Sequence, residues 1–182
     1  TSTAFLTPAE QYALTNWASR RDCTLVLHGG GEGCERRAAF FLPFYLTAED
    51  FDPAEHLRAV HFSAPFGAPG HRDYLGALMA LGLRRETLGD IITDNGGCFL
   101  FCLSSVKRFI LENLKSAGRA SITVNEAGTD ALLQKNERTQ DVFFSVASLR
   151  LDAVCGCAFS LSRAKAAQFI ESGFVFVNGV QV

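Results

Sequence analysis

Apolar residues along this chain come in short runs separated by polar and glycine-rich breaks, and the period of each run names an element. The first break, Thr7-Pro8-Ala9-Glu10, is a helix start: Thr caps, Pro sits in the first turn and Glu reaches back as a capping box. That helix is expected to run to about Arg20-Arg21. Residues 23–28 predict a strand, 29–33 a loop and 38–42 a second strand, ended by Pro43. Residues 50–53 read as a linker.

From Leu57 the pattern becomes regular. The spacing predicts a strand over Leu57–Ser63, a helix over 71–81, a strand over 89–93, a tight turn at Asn95-Gly96-Gly97 and a strand over 98–103. A helix over 105–114 and a strand over 120–125 follow. Leu75, Leu78, Met79 and Gly82 fall at helical spacing and predict a buried stripe, with the glycines allowing close packing on the sheet. Phe99 and Phe101 alternate on one strand, a pattern read first as core, with base stacking as the functional alternative. The order β-α-β-β-α-β is the split βαβ, or ferredoxin-like, arrangement. Residues 126–139 are polar and predict a linker. Beyond it Ser148 is expected to cap one helix, running to about Ala158, and Ser162 another, ended by Gly173. The alternation of FVFVNGVQV around Asn178-Gly179 then predicts a hairpin. The second strand of that hairpin holds only three residues, so the third unit reads as cut short.

The expected class is therefore α+β: a small N-terminal α/β domain (1–56), a ferredoxin-like, RNA-recognition-like middle domain (57–140) and a partial third domain (141–182). A composition of 48% hydrophobic and 20% charged residues suits a globular protein, and 16 Phe can fill a core. The apolar runs are far shorter than the roughly 20 residues a membrane span needs. No basic-then-apolar leader opens the chain, so the expectation is a cytoplasmic protein without a membrane partner. Net charge is −2, so any polyanion site must come from local clustering. The six cysteines, at 23, 34, 98, 102, 155 and 157, offer no C-x-x-C pair. They are expected to be reduced thiols, and no metal or other cofactor is expected.

Several catalytic motifs are excluded by spacing. His71-Arg72-Asp73 carries the letters of a kinase catalytic loop, but Leu78 stands where Asn would hold magnesium, and no D-F-G follows. HGGGEGCE lacks the third glycine and the Gly-Lys-Ser/Thr of phosphate loops, which leaves a flexible loop with a surface role. G-x-S-x-G and H-E-x-x-H are absent. Arg150-Leu151-Asp152 resembles the catalytic tripeptide of pseudouridine synthases, but Cys155 and Cys157 stand where those enzymes usually carry Thr and Gly. An acid early in a helix is also favourable on its own. The expectation is a protein with no catalytic residue and no small-molecule substrate. An RNA-modifying enzyme of pseudouridine-synthase type and a protein-interaction adaptor are the alternatives.

Charge placement is more informative. A helix N-terminus carries about half a positive charge, so cations there cost about 0.3–1 kcal/mol each. His71-Arg72, Lys107-Arg108, Arg150, and Arg163 with Lys165 all fall at predicted helix starts. A phosphate at such a site would offset the cost, because backbone N–H groups, dipole and side chain converge on it. Arg84-Arg85, past the end of the helix that begins at His71, are further candidates for RNA contact as an exposed loop pair.

HRDYLGALMALGLRRETLGDI, with GGGEGCERRAAFFLP before it and SLRLDAV and LSRAKAAQFIESGFVFVNG after it, resembles the bacterial YlmH family of RNA-binding proteins. The likeness spans most of the chain in the same order. It implies a middle domain of RNA-recognition type and a C-terminal domain like that of ribosomal protein S four, the alpha-L RNA-binding motif. It also implies association with ribosomal RNA of the large subunit and with tRNA during rescue of stalled translation, holding peptidyl-tRNA while the nascent chain is tailed. On the alpha-L pattern, Ser162, Arg163 and Lys165 at the start of the second helix and Arg150 on the first match the RNA-facing positions. Asn178 and Gly179 match the hairpin turn. The family's remaining strands and any basic tail have no counterpart in this chain.

Overall fold

The computed structural model describes residues 1–21, 23–93, 97–128 and 141–182. Asn95 and Gly96 of the expected turn, and most of the expected 126–139 linker, lie outside them. Two compact units form, Thr1–Lys135 and Asn136–Val182.

Among its described residues the first unit holds two larger antiparallel sheets and one short two-stranded one. The first larger sheet contains β1 (Ser2–Leu6), β2 (Thr24–His28) and β3 (Arg37–Leu42) in the order β1-β3-β2, with helix α1 (Pro8–Ala18) between the first two in sequence. The capping box at Thr7 forms as expected: the Thr7 side chain accepts from the Glu10 backbone, and the Thr7 backbone N–H donates to the Glu10 carboxylate at 2.7 Å. The expected 50–53 linker is instead flanked by two single turns of 3-10 helix, Ala48–Asp50 and Pro53–Glu55.

The second sheet contains β4 (Leu57–Ser63), β5 (Leu88–Thr93), β6 (Gly97–Leu103) and β9 (Thr123–Ala127) in the order β5-β6-β4-β9. Helices α2 (His71–Ala80) and α3 (Ser104–Asn113) complete the β-α-β-β-α-β order. The residues expected as one strand over 120–125 instead divide. A two-residue-per-strand hairpin, β7 (Ser116–Ala117) with β8 (Ala120–Ser121), precedes β9.

Strand alternation sends the two faces of this second sheet to different cores. Val60, Phe62, Cys98, Leu100 and Cys102 meet Tyr74 and Leu78 of α2 and Ile110 of α3. Leu57, Ala59 and Phe101 face the other way and pack on Phe5, Ala38 and Phe40 of the first sheet and on Cys34 of the loop between β2 and β3. The expected boundary at 56/57 is thus not a break in packing. The α2 stripe forms in part: Leu78 is buried, and Leu75 and Met79 pack partly buried against the same core. Tyr74 and Leu78 are its buried residues, and Tyr74 stacks on Phe62 with ring centroids 5.6 Å apart. Gly82 is exposed with φ +80°, the left-handed residue just past the helix end, and no packed neighbour surrounds it or Gly76.

In the second unit, α4 (Leu151–Ala158) and α5 (Arg163–Glu171) pack through Cys155, Gly156 and Ala166, all small and buried. The hairpin β10 (Phe176–Val177) and β11 (Val180–Gln181) follows, with Asn178 and Gly179 at φ +52° and +77°, the two positive values its two-residue turn demands.

Candidate nucleic-acid interface

The N-termini of α4 and α5 bring Arg150 and Arg163 together, while Lys165, exposed two residues after Arg163 on α5, does not face Arg163. Arg150, expected in the first turn of a Ser148-capped helix, is itself the N-cap residue of α4 and makes no side-chain cap bond. Asp152, in the first turn, takes that electrostatic place. Its Oδ1 accepts from Arg150 Nε at 3.0 Å, and its Oδ2 accepts from Arg163 Nε at 3.2 Å and Nη2 at 2.7 Å. Arg150 and then Arg163 hold the Asp152 carboxyl well below the usual range, down to about 2. Ser162 caps α5 as expected, its Oγ accepting from the Lys165 backbone N–H at 3.2 Å.

One carboxylate cannot neutralise two guanidiniums, so the cluster keeps a positive excess. Its exposure follows the same logic. The Asp152 side chain is 16% exposed, whereas those of Arg150 and Arg163 are 70% and 64% exposed. The acid lies beneath and the cations lie outward on one open surface. Asn178 is exposed at the tip of the hairpin in the same unit.

The middle-domain candidates divide. His71 and Arg72 are exposed at the start of α2, and the acid that offsets them is Asp73, whose Oδ2 accepts from the Gly70 N–H at 2.9 Å. Arg84 is exposed, 3.4 Å from Glu86. Arg85 departs from the expected exposed pair. It turns inward, donates to the Leu88 and Gly89 carbonyls at 2.6 and 3.2 Å, and burial lowers its pKa. Lys107 and Arg108, the other early cations, lie against Glu126 at 2.6 Å and Glu112 at 2.7 Å. Those acids account for their placement without an anion.

The sheet face opposite α2 and α3 shows where aromatics remain available. Phe101 and Ala59 pair across β6 and β4, and Ala59 pairs with Ala127 of β9. The first sheet covers this row. Its Gly29–Gly33 loop, expected as a flexible surface loop, is instead partly buried. Gly30 sits at φ +104° over the Phe101 ring, where a β-carbon would overlap the ring. Two residues along the strands, the row Ile92, Phe99, His61 and Asn125 is only partly covered. His61 and Phe99 pack with centroids 4.5 Å apart.

Among the described residues no group of three His, Cys, Asp or Glu is placed to hold a metal. No described helix is long and apolar enough to cross a membrane. Cys98 and Cys102 are fully buried on the helix-facing side of β6, and burial pushes the Cys102 thiol up to about 12.

Comparison with known proteins supplies the lineage. Residues 47–131 match the family described as "Putative RNA-binding domain in YlmH". The chain is 34% identical over 179 residues to the Ribosome-associated protein quality control protein P2 of Bacillus subtilis, covering 97% of this chain and 68% of that protein. The solved structure of the cell division protein ylmH from Streptococcus pneumoniae superposes with a TM-score of 0.59 at 18% identity, over 74% of this chain and 82% of that one. That likeness speaks for the fold. The identity and coverage shared with the Bacillus protein, together with the matched domain, make this chain a member of the YlmH family.

Proposed function

We propose that this protein binds RNA without catalysis, associates with the large ribosomal subunit and tRNA, and acts in quality control of stalled translation. The observation that carries the reading is the open surface at the starts of α4 and α5. Two guanidiniums from different helix starts stand there side by side over one carboxylate, and the first turn of α5 also carries the exposed Lys165. Phosphate oxygens suit that arrangement, because outward N–H groups, helix dipoles and net positive charge point the same way. The match of residues 47–131 to an RNA-binding domain and the ribosome-associated relative support the same direction.

The proposed contacts are Arg150, Arg163 and Lys165, with Ser162 setting the α5 start, and the Asn178-Gly179 turn of the same unit. His71, Arg72 and Arg84 are the proposed contacts of the middle domain. The pseudouridine-synthase alternative needs Asp152 to act on a base. Instead both of its oxygens are tied to arginines, which favours a charge-holding role.

Ultraviolet crosslinking of the protein in cells, followed by sequencing of the attached RNA, tests the reading. Crosslinks concentrated on large-subunit ribosomal RNA and tRNA are expected. Crosslinks confined to messenger RNA, or none above background, would overturn it.

A further inference from the structure

We propose that Asp152 is a positioning residue for RNA binding: it fixes Arg150 and Arg163 as a pair whose outward N–H groups address one phosphate. This deepens the function proposed above and rests on it.

The geometry separates the inner and outer edges of both guanidiniums. Asp152 engages Nε of Arg150, and Nε and Nη2 of Arg163. Both terminal nitrogens of Arg150 and Nη1 of Arg163 are not used in these bonds. The two arginines belong to different helix starts, Arg150 the N-cap of α4 and Arg163 the first residue of α5. Nothing along either helix alone would hold them together. Long arginine side chains lose rotamer freedom when they bind, and a carboxylate that orients them beforehand removes part of that loss from the binding step. Asp152 is also recessed, at 16% side-chain exposure, so it is screened from a bound phosphate by the cations it holds.

This role makes a prediction opposite to simple charge counting. Removing an acid from a polyanion site raises the local positive charge, which by itself tightens binding. If Asp152 positions the arginines, its loss weakens binding despite that gain.

The test uses the full chain and purified large ribosomal subunits, with affinity measured over a salt series. Asp152→Ala and Asp152→Asn are expected to weaken binding on the order of fivefold and to lower the salt slope by about one phosphate contact. Asp152→Glu is expected to restore most of the affinity. In an Arg150→Ala/Arg163→Ala background the same Asp152→Ala change is expected to tighten binding, because no arginines remain to position. Circular dichroism melting identifies the temperature at which every variant is folded. Should Asp152→Ala fail to fold, the Asn and Glu variants decide the outcome.

Tighter binding by Asp152→Ala or Asp152→Asn in the otherwise native chain would overturn the positioning role. In that case weakened binding by the arginine variants would leave the proposed RNA surface standing. Native affinity in the arginine variants would remove that surface, and the positioning role with it.

Discussion

Phe99 and Phe101 lie two positions apart on β6, face the same side of the sheet, and meet different surroundings. Phe101 is fully buried beneath Gly30 and the first sheet, while Phe99 is partly open and packs on His61. Phe101→Ala is therefore expected to destabilise the first unit by about 3–5 kcal/mol, and Phe99→Ala by roughly half as much. Urea unfolding of each variant checks this, and equal losses would contradict the packing described. Alternation in the sequence was enough to put both rings on one face. It could not show where the cover ends, because that depends on a loop about seventy residues away in sequence. The burial of Gly29 and Gly30 was hidden for the same reason: a glycine run signals backbone freedom without saying what lies under it. The inward turn of Arg85 was equally illegible, since its partners are the carbonyls of Leu88 and Gly89, and carbonyls leave no signature in a sequence.

At the level of elements, legibility followed length and capping chemistry. The helix starts at Thr7 and Ser162 and the turn at Asn178-Gly179 are set by local bonds, and they form where the sequence places them. β1 was not foreseen, since its five residues precede the cap without a distinct alternation. The β7–β8 hairpin has two residues per strand, too few for any period to show. Arg150 was placed inside the first turn because Ser148 offered a conventional cap, whereas in the structure Arg150 is itself the cap residue, α4 begins at Leu151, and its early acid, Asp152, lies between two arginines. The Ser162 cap supports a direct expectation. Ser162→Ala should lower the stability of the second unit by about 1 kcal/mol. It should also weaken RNA binding, because the start of α5 carries Arg163 and Lys165. Thermal melting followed by ribosome binding at a temperature where the variant is folded checks both, and a stable variant with native binding would contradict the role given to this cap.

Across the whole molecule the net charge of −2 conceals an uneven arrangement. Most early-helix cations have an acid beside them: Lys107 has Glu126, Arg108 has Glu112, and His71-Arg72 have Asp73 at the same helix start. At α4 and α5 a single acid serves two arginines, and the excess is left facing outward. Placement against the helix dipole located this cluster from sequence alone. The same rule overcounted at α3, because Glu126 comes from a strand and its approach to Lys107 is a product of the fold. RNA bound through such a surface is held largely by phosphate contacts, so its affinity falls steeply with salt. The most direct measurement is a salt titration of large-subunit binding by the native protein and by the Arg163→Glu/Lys165→Glu variant. The expected result is a steep native slope, with a variant slope shallower by about two and affinity lower by at least about tenfold. A variant that retains both the native slope and the native affinity would contradict an RNA surface at the start of α5.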